Sequence, residues 1–133
     1  VDELTKHTEA TIQELLSCVR SPKGFPARFR ATCNPGGIGH GWVKRRYIDP
    51  TNRGEQTYQD AVSSNRVAFI PATVFDNEVL MRHDPGYVRR LENLPPAKKR
   101  AFLHGDWDIV EGQAFDEWRN NPNEDRTWTH VIK

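Results

Sequence analysis

Two stretches of this chain group side chains that could do chemistry, and the second sits beside a glycine-rich turn. The first is Asp2-Glu3, within Val1-Asp2-Glu3-Leu4-Thr5. The second is Thr32-Cys33-Asn34-Pro35-Gly36-Gly37, followed by Gly39-His40-Gly41-Trp42-Val43-Lys44. Adjacent carboxylates at a strand tip can divide labour in phosphate hydrolysis: one holds Mg²⁺, usually through water, and the other polarises the attacking water. A polar residue at the carboxyl end of a strand, next to a glycine-rich turn, is where open α/β sheets place ligand chemistry. The acidic pair and the polar strand end stand about thirty residues apart, which fits two neighbouring strands joined by a crossover helix.

Each stretch also has an ordinary reading. Charged residues make up 28% of the chain, so an Asp-Glu pair is expected by chance. Asn34 either contacts a ligand or simply starts the Pro-Gly turn. Gly36, Gly37, Gly39 and Gly41 can let backbone N–H groups approach a phosphate. The sequence holds no G-x-x-x-x-G-K-[ST], so the lysine-bearing phosphate cradle is not within it.

Three basic clusters follow: Lys44-Arg45-Arg46 between Trp42 and Tyr47, then Arg89-Arg90, then Lys98-Lys99-Arg100. Lys and Arg neutralise backbone phosphates while aromatics stack on bases or pack; the plain alternative is solvated helix faces. His104-Gly105-Asp106-Trp107-Asp108 groups possible ligands, but no second cluster gives zinc-like spacing, and structural use is the simpler reading.

The elements that must position these residues can be outlined. Thr8 caps a helix with Glu9 in its first turn, and Ile12, Leu15, Leu16 and Val19 form one apolar face. Residues 27–33 alternate as a strand, with Ala27, Phe29, Ala31 and Cys33 on one side. A helix is expected within residues 39–48, a loop over 49–65 and a strand over 66–70. Short helices follow at 77–82, after Asp84-Pro85, and at 97–104. Residues 120–125 read as a linker and 127–132 as a strand.

Composition bounds the class. With 133 residues, 36% of them hydrophobic, and a mean hydropathy of −0.77, one domain with a modest core is expected. A net charge of +1 gives no global pull on nucleic acid, so attraction must come from the local clusters. Cys18 and Cys33 read as reduced packing thiols. No apolar run approaches the ~18 residues of a membrane span, and no secretory signal opens the chain, so the cytoplasm is the expected compartment.

Taken in order, Asp2-Glu3-Leu4-Thr5, Thr32-Cys33-Asn34-Pro35-Gly36-Gly37 and His40-Gly41-Trp42-Val43-Lys44 resemble the large subunit of tailed-phage terminases. Phe69-Ile70-Pro71-Ala72, Asp76-Asn77 and Gly105-Asp106-Trp107-Asp108 with Gly112 and Phe115 continue the series. Such subunits are ATP-driven, DNA-cutting motors of genome packaging. The resemblance implies an α/β fold: a truncated part of a P-loop NTPase-like parallel sheet, with flanking helices, few strands and long loops. Residues 1–105 would be the C-terminal part of the ATPase-like domain and 106–133 a linker towards a nuclease domain whose metal-binding acids lie beyond it. It assigns Asp2 to Mg²⁺, Glu3 to the general base, and Thr32 and Asn34 to the motif that couples hydrolysis to motion. Thr32, Gly36 and Gly37 would face the nucleotide, and Lys44, Arg45, Arg46, Lys98, Lys99 and Arg100 would face DNA. ATP and Mg²⁺ would serve the intact parent, with neither held tightly by this chain alone. Double-stranded DNA, bound weakly, is the expected partner, with the terminase small subunit and portal in the intact parent. The resemblance implies the cytoplasm of a bacterial host; a homo-oligomer is expected because a strand at 28–33 with an unpaired edge recruits other chains. Two other readings compete: a non-enzymatic remnant that binds DNA or protein, and a metal-dependent hydrolase built on Asp106, Asp108 and Glu111.

Overall fold

A computed structural model describes residues 1–109 except Lys23 and Val62. The first helix forms where its cap predicts it. The Thr8 hydroxyl accepts from the Thr11 N–H at 3.2 Å and opens helix α1 (Glu9–Ser17). Only part of the expected apolar face is used. Ile12 is buried and Leu16 half-buried, whereas Leu15 and Val19 are 43% and 37% exposed. The helix stops at Ser17, so Val19 falls off the helical face.

Helix α2 (His40–Val43) runs without a break into a π turn, Lys44–Ile48. The wider turn lets Val43 and Ile48, five positions apart, both reach the core. Asp49–Gly54 then reverses the chain, with Asn52 and Arg53 in the left-handed region at φ 48° and 56°. Gly54 follows at φ 104° against Pro71, whose Cδ would sit 2.6 Å from an added Cβ.

The regular sheet among the described residues has two short strands, β1 (Tyr58–Gln59) and β2 (Arg66–Val67). They pair antiparallel, Tyr58 opposite Val67 and Gln59 opposite Arg66. β2 occupies the start of the expected 66–70 strand, while its partner lies in the stretch expected to be loop. The chain is therefore mixed helix and sheet, in a loose α/β class.

Residues 27–33 are extended rather than part of a regular ladder. Phe29 and Cys33 pack on the core, whereas Ala27 and Ala31 are exposed. This segment meets the start of the chain through three backbone bonds. The Val1 ammonium donates to the Arg30 carbonyl at 2.7 Å, and Thr32 N–H donates to the Val1 carbonyl at 3.0 Å. That is the hydrogen-bond pattern of a parallel pair centred on Val1 and Ala31. Leu4 N–H then donates to the Thr32 carbonyl at 2.8 Å, after Glu3 has turned through a left-handed φ of 52°.

The last three α-helices among the described residues are set by local signals. Asn77 Oδ1 accepts from Leu80 N–H at 3.0 Å and caps α3 (Glu78–His83). Helix α4 (Gly86–Glu92) follows Pro85. Helix α5 (Pro96–His104) has proline in its first turn and ends at Gly105, left-handed at φ 62°.

Leu4, Ile12, Trp42, Val43, Ile48 and Trp107 form the core cluster. Trp107 lies past the boundary expected between residues 105 and 106, yet it packs with the first turn and α2. Among the described residues, no helix is long and apolar enough to cross a membrane. Glu111, Gly112, Phe115, the expected 120–125 linker and the expected 127–132 strand lie outside the described residues.

Candidate functional site

The parallel-type pairing brings Asp2 and Thr32 side by side. The Thr32 hydroxyl donates to Asp2 Oδ1, and the Glu3 N–H donates to the same oxygen at 3.1 Å. Both side chains are exposed, so the carboxylate is oriented while remaining open to solvent. Two residues beyond Glu3, Thr5 is buried and its hydroxyl donates to the Asn34 carbonyl at 2.9 Å. The acidic pair, Thr32 and Asn34 are thus tied to one corner. Glu3 also faces Cys33. Burial, followed by the negative charge of Glu3, pushes the Cys33 thiol up to about 11.

The glycine turn is shaped by crowding. Gly37, at φ 80°, and Gly39 both lie against the Thr5 carbonyl, where an added Cβ would stand 2.9 Å away. Gly39 N–H donates to that carbonyl at 2.8 Å, and Trp42 Nε1 donates to the His7 carbonyl at 2.9 Å. Gly36, at φ 104°, is buried, and its N–H is donated to His40 Nδ1 at 2.9 Å. The Gly36 amide assigned to a nucleotide therefore serves the turn itself.

A cleft of about 310 Å³ opens beside this turn, between Gly36, Gly37, His40 and Lys44 on one wall and Trp107, Asp108 and Ile109 on the other. The His40 ring stacks on Trp107, with centroids 5.4 Å apart and planes 23° from parallel. Phe69 meets Trp107 edge-on. Nothing in the local sequence marks His40 and Trp107 as partners, because they are far apart along the chain.

Asp106 and Asp108 are engaged with basic side chains. Asp108 accepts from Lys44 Nζ at 2.7 Å and from Arg53 at 2.5 Å. Hydrogen bonds from Arg53 and Lys44 outweigh burial and hold its carboxyl below the usual range. Asp106 accepts from Arg100 Nε at 2.8 Å. These contacts fix the Gly105–Asp108 corner against the π turn, the Asp49–Gly54 segment and α5. They leave the competing hydrolase with its two described carboxylates already neutralised by cations. Among the described residues, no group of three or more His, Cys, Asp or Glu could hold a metal ion.

The basic clusters separate by exposure. Arg46 is 7% exposed and pairs with Asp60, so it is not presented to a polyanion at the surface. A run of charges reads identically whether it is solvated or buried; the π turn points its third member inward. Lys44 is bound to Asp108, and Arg45 reaches Glu9 at 3.3 Å. On α5, Lys98 is exposed and Lys99 half-buried, and neither forms an ion pair among the described residues. Arg100, exposed, is held by Asp106.

No protein family, curated protein or solved structure matches this chain.

Proposed function

We propose that this chain carries the metal-binding and coupling corner of a packaging motor of the terminase large-subunit kind, in which ATP hydrolysis drives double-stranded DNA. The observation that carries this reading is the Asp2–Thr32 contact across a parallel-type pairing. An exposed carboxylate beside a hydroxyl supplies the oxygen ligands that Mg²⁺ accepts, with water and phosphate completing its shell. Asp2 would hold the ion and Glu3 would polarise the attacking water. Bound Mg²⁺ neutralises charge on the transferring phosphoryl group. In this reading Thr32 and Asn34 would respond to a change at the γ-phosphate, and Thr5, whose hydroxyl donates to the Asn34 carbonyl, would pass it on. The P-loop-like parallel sheet belongs to this same reading.

The test is an NMR titration with millimolar Mg²⁺-ATP. Amide shifts confined to Asp2, Thr32 and Asn34, and abolished in Asp2→Asn, are expected. No phosphate release is expected, because the sequence contains no lysine-bearing phosphate loop. Shifts scattered over the surface, or unchanged in Asp2→Asn, would sink the reading.

A second reading is favoured by Lys98 and Arg89, which are exposed on α5 and α4 and form no ion pair among the described residues. It is a binding module for DNA without catalysis. Weak duplex binding with no response to Mg²⁺-ATP would select it.

A further inference from the structure

We infer that His40 is a proton-operated latch on the Asn34–His40 turn, closed when the imidazole is neutral and released when it gains a proton. The inference rests on hydrogen-bond polarity. A backbone N–H can only donate, so the ring nitrogen that receives Gly36 N–H at 2.9 Å must carry a lone pair. The ring proton of neutral His40 therefore sits on Nε2. Adding a proton from solvent to Nδ1 creates an N–H aimed at another N–H. The contact turns from attractive to repulsive, and one side must move.

Neither side can move without consequence. Rotating the ring gives up its stacking on Trp107 at 5.4 Å. Keeping the ring strips the buried Gly36 amide of its acceptor, and an unpaired buried donor is unfavourable. The turn has little freedom to absorb the change elsewhere, since Gly37 and Gly39 are wedged against the Thr5 and His7 carbonyls. Opening at Gly36 widens the cleft of which Gly36, His40 and Trp107 form the walls.

Among the described residues, Lys44 and Asp108 are charged groups that line the same cleft, and they pair at 2.7 Å. Lys6 lies against Gly37 through its stem, and His7 and the Thr5 carbonyl pack under Gly39. Lys44 opposes a second positive charge nearby and Asp108 offsets it. The Gly36 contact can be made only while His40 Nδ1 carries a lone pair. The latch requires neither nucleotide nor DNA.

The test uses the full chain labelled with ¹⁵N. At about pH 8 the ring nitrogens of His40 should report the Nε2–H tautomer, the neutral state of a side chain that changes charge between about pH 5 and 8. On acidification to about pH 5, Gly36 amide exchange, corrected for the unstructured rate, should rise at least about tenfold. The Gly39 amide, bonded to the Thr5 carbonyl at 2.8 Å, is the internal reference and should keep its protection. In His40→Asn, a side-chain oxygen can accept the same bond with no proton to gain, and Gly36 protection should become independent of pH. An Nδ1–H tautomer, unchanged Gly36 exchange, or parallel loss at Gly36 and Gly39 overturns the proposal. If the variant does not fold, the wild-type tautomer and the Gly36–Gly39 comparison decide it.

Discussion

Arg46 donates to Asp60 at 2.9 Å while the two side chains are only 7% and 6% exposed. The pair fastens the π turn to the β1–β2 hairpin. Ser63 adds its hydroxyl and N–H to the same carboxylate oxygen at 2.6 and 3.0 Å, and the Tyr58 hydroxyl donates to the Arg46 carbonyl. Glu9 brings a second negative charge, 3.6 Å from Arg46 Nη1. Asp60→Ala would leave the guanidinium buried beside Glu9 alone. Unpairing a buried ion in this way costs about 3–5 kcal/mol. Urea denaturation should show a loss of that order; a loss below about 1 kcal/mol, the usual worth of a surface pair, would mean that the pair is solvated.

The same site sets an acid limit. Burial alone would push the Asp60 carboxyl up, but hydrogen bonds from Arg46 and Ser63, with the Arg46 charge, hold it at about 2. Its folded value is depressed, so its stabilisation is fully present above the unfolded value of about 3.9. That contribution fades as pH falls from about 4 towards about 2. Thermal unfolding across this window should show Tm falling in the wild type and a shallower slope in Asp60→Ala. Parallel slopes would contradict the assignment.

Cys33 and Cys18 should differ in reactivity. Cys18 is exposed, whereas the Cys33 thiol is raised to about 11 by burial and by Glu3, leaving little thiolate at neutral pH. Iodoacetamide at neutral pH should modify Cys18 first and Cys33 much more slowly. Glu3→Gln should speed modification of Cys33, because it removes a negative charge that opposes the thiolate. Equal native rates for the two thiols, read by mass spectrometry, would refute this.

Gly39→Ala and Gly41→Ala make a paired test of the turn. At Gly39 an added Cβ would lie 2.6 Å from the His7 carbonyl and 2.8 Å from Trp42 Nε1. Overpacking of this kind costs about 1–3 kcal/mol. At Gly41, exposed and helical, a Cβ meets nothing within 4 Å, and alanine should add up to about 1 kcal/mol through helix propensity. The difference in unfolding free energy should therefore have opposite signs. Two changes of the same sign would show that the turn is not packed as described.

DNA binding, if present, should follow exposure rather than charge count. An affinity on the order of 10⁻⁴–10⁻⁶ M at physiological salt is expected for sequence-independent contact. Lys98→Ala with Lys99→Ala should weaken binding equally for unrelated duplexes and flatten its salt dependence. Arg46→Ala should instead lower stability, because Arg46 is buried against Asp60. Retained affinity in the Lys98 and Lys99 variant would remove α5 from the interface.

What was legible in the sequence acts within a turn or two of the chain. Thr8 starts α1 because its hydroxyl reaches Thr11 N–H, and Asn77 starts α3 by the same device. Pro96 and Gly105 bracket α5 because one lacks an N–H and the other accepts a left-handed φ. The nearness of Asp2 and Thr32 was also readable, from a spacing that suits two adjacent strands. Boundaries shifted by a residue or so, and the strand over 66–70 shrank to β2, since strand pairing depends on a partner drawn from elsewhere.

The remainder was decided by contacts between residues far apart in the chain. Lys44 and Asp108 are 64 positions apart, and Arg53 and Asp108 are 55 apart; neither pairing leaves a local pattern. Arg46 stands in a run of three basic residues that looks like one surface patch, yet the π turn directs it to a buried carboxylate. His40 became a candidate latch only because Gly36 N–H meets its Nδ1 and Trp107 covers its ring. Capping oxygens, proline and glycine constrain their own dihedrals and are visible in one dimension. Burial, ion pairing and the direction of a hydrogen bond depend on which distant segments close over a side chain, and that is settled only when the core is assembled.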